Sequence, residues 1–72
     1  MSEQEKIAYI AESVEMEPEE LSRNQVLTEL ENWDSVAVLS MIAVFNEQLG
    51  QYPKAEDFLK YTTVQDLMDA ME

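Results

Sequence analysis

Between Asp34 and Gly50 the chain reads SVAVLSMIAVFNEQL, its most hydrophobic stretch. The run contains neither Gly nor Pro, and its apolar residues recur at helical spacing. At about 100° per residue, Val38, Met41, Ile42, Phe45 and Leu49 gather on one side. Val36, Ser40, Ala43 and Glu47 gather on the other, a face that is small and partly apolar. The spacing predicts a helix from Ser35 to about Leu49, with Gly50 as its stop. Elsewhere, one Gly and two Pro in 72 residues leave few turn signals. No segment alternates apolar and polar residues over a strand length, so the expected fold class is all-α.

The remaining elements are short. Ser2 can cap a first helix from about Glu3 to Val14, with Glu5 completing a capping box. Ile7, Ile10, Ala11 and Val14 then share a face. A long connection follows, roughly from Glu15 to Asp34, with a turn at Pro18–Leu21 opened by the proline. Met16, Leu21, Val26, Leu27 and Leu30 should pin it to the core. Unstructured connections longer than about 12–15 residues are uncommon in compact domains and are often functional. A short turn is expected near Glu56–Leu59. The last helix should span Thr63–Met71, capped by Thr62 with Gln65 as box partner. Val64, Leu67, Met68 and Met71 supply its inner stripe. There is no internal repeat, and residues 1–72 read as a single domain.

Composition removes several classes of function. A chain this short buries only about 60% of its unfolded surface, a poor base for an elaborate catalytic cavity. Sixteen acidic residues stand against four basic ones, for a net charge of −12. That argues against nucleic acid and anionic membranes, which call for Lys and Arg. It favours partners with basic docking surfaces. The absence of Cys and His excludes disulfides, Cys/His zinc sites, Cys nucleophiles and His bases. Glu19-Glu20 and Glu56-Asp57 are adjacent carboxylates, which do not face each other on a helix and suit a solvated face better than acid–base work. No calcium-loop spacing occurs. The five Met residues fall mostly at core spacing. No apolar stretch reaches the roughly 18 residues of a membrane span. The polar N-terminus, MSEQEK, does not resemble a signal peptide. A cytoplasmic location is expected.

Asp34-Ser35 stands at the mouth of the apolar helix. Asp34 fits the N-cap position, accepting backbone N–H groups of the first turn. Trp33 then sits just outside and can pack on Val38 as a hydrophobic staple. Ser35 would occupy the first helical position with its hydroxyl outward. A phosphate ester there would meet free backbone N–H groups and the positive end of the helix dipole. On local spacing alone, cap chemistry is the favoured reading of the pair, because Asp-Ser is common at a helix start.

The wider pattern points further. The segment LTELENWDSVAVLSMIAVFNEQLG resembles the acyl carrier protein family: a Leu-containing stretch, an Asp-Ser pair, then a helix of this length ending in Leu-Gly. The later segment AEDFLKYTTVQDLMDAM is similar to the family's final region. The resemblance implies a four-helix bundle with a long loop between the first two helices and a short third helix. It implies that Ser35 receives 4′-phosphopantetheine from coenzyme A. Asp34 matches the aspartate that helps bind the transferase's magnesium ion during loading. Val36 stands where the family usually has Leu, and Ala43 matches an apolar position lower on the helix. One departure is plain. Bulk fatty-acid carriers bear several acids along the second helix, whereas here the matching exposed positions are Ser40, Asn46 and Glu47.

The implied function is to tether acyl or aminoacyl groups as thioesters and present them to partner enzymes, in a specialised pathway. The chain itself would be no enzyme and would hold no resident metal. The implied partners are a phosphopantetheinyl transferase and an acyl- or aminoacyl-activating ligase, a synthase or an acyltransferase. They would dock on Val36, Ser40, Ala43 and Glu47, with the carrier a monomer. The competing reading is an acidic helical interaction module with no prosthetic group, offering that same face to a partner helix.

Overall fold

The first helix, α1, spans Glu3–Ser13. Ser2 caps it: its hydroxyl accepts from the Glu5 N–H at 3.2 Å, and the Glu5 carboxylate accepts from the Ser2 N–H at 3.1 Å. Those two bonds hold the Glu5 carboxyl below the usual carboxylate range, the backbone bond contributing most. The structure, a computed structural model, describes residues 1–71 and is all-α. Val14 closes α1, and Glu15 follows in the left-handed region with φ of 57°.

The connection to the second helix contains two single-turn 3₁₀ segments, Pro18–Glu20 and Leu27–Glu29. The first is the expected proline turn; the second has no sequence signal of its own. Leu21, Leu27 and Leu30 are buried, while Met16 and Val26 are half-buried. Backbone bonds also hold this loop. The Leu27 N–H donates to the Thr62 carbonyl at 2.9 Å. Val64 and Gln65 donate to the carbonyls of Gln25 and Arg23 at 3.0 and 2.9 Å. Val26 and Thr63 pair as an isolated antiparallel bridge, and no strand occurs among the described residues. A loop with few regular elements thus satisfies its polar groups against the start of the last helix.

The second helix, α2, spans Ser35–Val44 and widens into a π-helical turn over Phe45–Leu49. Gly50 ends it in the left-handed conformation, φ 66°, where a Cβ would be strained. Its inward line is Ala37, Met41 and Phe45, all essentially buried, with Val38, Ile42, Val44 and Leu49 half-buried against them. The core side is therefore rotated from the expected set: Ala37 lies inside and Val38 only at its edge. Apolar residues occupy most of the helix circumference, so periodicity alone left the angle loose.

A 3₁₀ helix, Ala55–Lys60, and the last helix, α3 (Val64–Ala70), complete the fold. Phe58 packs edge-to-face on Phe45 and on Tyr61, with ring centroids 5.6 Å apart in each pair. Such pairs add about 0.5–1.5 kcal/mol beyond the area they bury. They fix the 3₁₀ helix beside α2. The cap of α3 is one residue later than expected. Thr63, not Thr62, is the N-cap, and Asp66, not Gln65, closes the box. One carboxylate oxygen of Asp66 accepts from the N–H groups of both Thr62 and Thr63, at 3.0 and 3.1 Å. A charged acceptor serving two donors outcompetes the neutral Gln65 amide. Val64, Leu67, Met68 and Met71 are buried as anticipated. α1 packs on both α2 and α3, and the core lies among the three.

Candidate functional site

The segment before α2 is short and polar, yet fixed at three points. Leu30 is buried, and the Trp33 N–H closes a turn onto its carbonyl at 3.2 Å. Trp33 itself is half-buried against the core, alongside Val38. Asp34 is the N-cap: its Oδ1 accepts from the N–H groups of Val36 and Ala37, at 3.0 Å each. The Val38 N–H donates to the Asp34 carbonyl at 3.0 Å. Two orphan donors of the helix start are thereby satisfied by the Asp34 side chain, and its carbonyl accepts the first intrahelical bond.

Ser35 is the first residue of α2 and is exposed. Among the described residues no hydrogen bond engages its hydroxyl, so Oγ is open to solvent. The expected cradle of free first-turn amides is not there, because Asp34 already occupies the N–H groups of Val36 and Ala37. What remains for an anion on Ser35 is the Ser35 N–H and the helix dipole. A phosphodiester fits this position through exposure and dipole, without a tight backbone nest. The second carboxylate oxygen of Asp34, Oδ2, accepts no hydrogen bond among the described residues. An exposed carboxylate with one oxygen committed and one open can take a cation brought by a partner.

Beside Ser35 a cleft of about 640 Å³ opens between α2 and the Ala55–Lys60 helix. Its walls are mainly apolar, with Trp33, Val38, Leu39, Ala55 and Leu59 at the surface and Asp34, Ser35 and Glu56 at the rim. Leu39 and Leu59 are 63% and 86% exposed, unusually bare for leucines. Neither stood out in the sequence. Leu39 falls between the two faces that helical spacing separates, and Leu59 sits in a short turn with no periodicity.

The outer side of α2 is as anticipated for Val36, Ser40, Ala43 and Glu47, which are all exposed. Asn46 is not part of that surface: it is half-buried, and its Oδ1 is buried without a partner among the described residues. Helical spacing accounts for the difference: at about 100° per residue Asn46 falls roughly 90° from the centre of that face, beside half-buried Ile42. No group of three or more acidic side chains among the described residues is arranged to hold a metal ion. Among the described residues no helix is long and apolar enough to cross a membrane.

A family model described as the phosphopantetheine attachment site matches residues 7–71, nearly the whole chain. No curated protein and no solved structure matches it.

Proposed function

Because the chain belongs to the phosphopantetheine-attachment family, that of the acyl carrier proteins, we propose that Ser35 carries the arm and that this is a carrier of thioester-bound intermediates. Members of the family hold 4′-phosphopantetheine covalently on a serine, and such domains are generally non-catalytic. The observation that carries the assignment is an unencumbered, exposed Ser35 hydroxyl at the first position of α2, directly after the capping Asp34. The described elements are read as the family's four-helix bundle, with Ala55–Lys60 as its short third helix.

Loading is a phosphoryl transfer catalysed by a partner. Ser35 Oγ attacks the phosphorus next to the pantetheine of coenzyme A, the new O–P bond forming as the bond to adenosine 3′,5′-bisphosphate breaks. The hydroxyl proton passes to a base on the transferase. Asp34 assists through its open Oδ2, toward the transferase's magnesium ion, while Oδ1 keeps α2 capped. Once attached, the group supplies a thiol that holds acyl or aminoacyl cargo as a thioester. The apolar walls contributed by Trp33, Val38, Leu39, Ala55 and Leu59 favour cargo with an apolar skeleton over a charged one.

Docking is assigned to the exposed side of α2, with Val36, Ser40, Ala43 and Glu47. Hand-off between enzymes calls for weak, fast association, which a small apolar centre with a charged rim provides. Tethering raises the local concentration of cargo at each partner. The partners proposed are a phosphopantetheinyl transferase and an activating ligase, a synthase or an acyltransferase. With Glu47 the lone acid among the exposed positions of α2's outer side, a dedicated pathway fits better than bulk fatty-acid synthesis. Incubation with coenzyme A and a broad-specificity transferase tests the assignment by intact mass. Modification of wild type but not of Ser35→Ala supports it; no modification favours the interaction module instead.

A further inference from the structure

Asn32 stands three residues before Ser35 and is exposed, yet its carboxamide nitrogen donates to the backbone carbonyl of Val14 at 3.2 Å. Val14 is fully buried and closes the C-terminal end of α1. Its carbonyl is among those a helix end leaves without an intrahelical partner. Because the acceptor is a carbonyl, the amide nitrogen rather than the amide oxygen must face it. The bond joins segments 18 residues apart in the chain.

Apart from that bond, the segment is tied to the rest of the molecule by the packing of Leu30 and Trp33. Between buried Leu30 and buried Ala37, every residue is exposed except half-buried Trp33. The Asp34 carboxylate bonds within α2, so it fixes the helix end to itself. The Trp33 N–H closes a local turn onto Leu30. The Trp33 side chain rests on the core, but the hydrogen bond from this segment to α1 is that of Asn32.

We propose, resting on Ser35 as the attachment site, that Asn32 is a positioning residue for loading: its carboxamide anchors the Ser35 segment to the end of α1. A hydrogen bond of this kind contributes about 1 kcal/mol. Without it, residues 31–35 sample arrangements in which Ser35 is displaced. A partner must then select the competent arrangement, and apparent affinity falls by the fraction that is competent. Once docked, the segment is held by the partner and turnover proceeds as before. The loss therefore belongs in KM, not in kcat.

The test compares wild type, Asn32→Ala and a control, Leu67→Val, which removes a buried methylene in α3 and lowers thermal stability without touching the segment. All are assayed with coenzyme A and a transferase well below their melting temperatures. Asn32→Ala should raise the KM for carrier by up to about fivefold, the most that losing about 1 kcal/mol can take from the competent fraction, with kcat within about twofold of wild type. Leu67→Val should keep both constants. In the unmodified protein, amide hydrogen exchange at Trp33, whose N–H is bonded to the Leu30 carbonyl, should accelerate in Asn32→Ala and not in Leu67→Val. An unchanged KM in Asn32→Ala, equal losses in the control, or unaltered exchange overturns the role of Asn32 while leaving Ser35 as the site. Failure of wild type to load overturns the proposed function, and the loading role with it.

Discussion

The carboxylate of Asp34 lies 3.0 Å from the backbone nitrogen of Ala37, and the same Oδ1 takes the Val36 N–H. One oxygen caps the helix, and the other stays open beside Ser35. The two tasks can be separated by substitution. Asp34→Ala should lose the cap and about 1 kcal/mol of stability. Asp34→Asn should keep most of the cap, since Asn is as good an N-cap as Asp. If Oδ2 meets the transferase's cation, both variants should load at least roughly tenfold more slowly, the scale on which even outer-shell ligands matter. Thermal unfolding with loading kinetics decides it. Wild-type loading by Asp34→Asn would confine Asp34 to capping.

Glu15 holds a left-handed backbone, φ 57°, at the end of α1. The conformation costs an L-residue about 1–2 kcal/mol and glycine little. Glu15→Gly should therefore be more stable than Glu15→Ala by about 1 kcal/mol, the charge change being common to both. Urea unfolding of the pair measures it. Equal stabilities would mean that the residue relaxes out of this region.

Glu5 and Asp66 each accept backbone N–H bonds at a helix start, and both carboxyls are held below their usual range. A depressed folded pKa stabilises above the unfolded pKa and is lost as pH falls through the folded one. Lowering pH also relieves repulsion in a chain of net charge −12, so absolute stability mixes two effects. The gap between wild type and Asp66→Ala isolates the cap. It should be constant near neutrality and narrow below about pH 4. A gap independent of pH down to 2 would show that the Asp66 charge contributes nothing.

Val36 is 67% exposed on the outer side of α2, with Glu47 further along the same side. Val36→Asp should leave helicity intact, since an acid suits the first turn of a helix. Loading should nevertheless weaken by about tenfold, the 1.4 kcal/mol expected from losing an apolar contact at an interface centre. Glu47→Lys should act less, through association rate at low salt. Loading kinetics at two salt concentrations, with circular dichroism as the fold control, compare them. A larger effect of Glu47→Lys at high salt would reverse the two roles.

The parts of this fold legible in the sequence were those set by local chemistry. The Ser2–Glu5 box, the Asp34 cap and the Gly50 stop involve residues a few positions apart, and each occurs where spacing placed it. The start of α3 was ambiguous because Thr62 and Thr63 each have a box partner three residues on. The carboxylate of Asp66 decided it by serving both N–H groups. The phase of α2 was less readable, since a helix apolar on most sides buries whichever line its neighbours select, here Ala37, Met41 and Phe45. The π-helical turn over Phe45–Leu49 has no local signature. The cleft beside Ser35, with bare Leu39 and Leu59, and the Asn32–Val14 bond exist only once distant segments meet.

Mass spectrometry of the intact protein after incubation with coenzyme A, magnesium and a phosphopantetheinyl transferase tests the central claim most directly. Wild type should gain the mass of one phosphopantetheinyl group, fragmentation should place it on Ser35, and Ser35→Ala should gain none. Addition at another serine, or no addition with several transferases while the protein remains folded, would contradict the assignment.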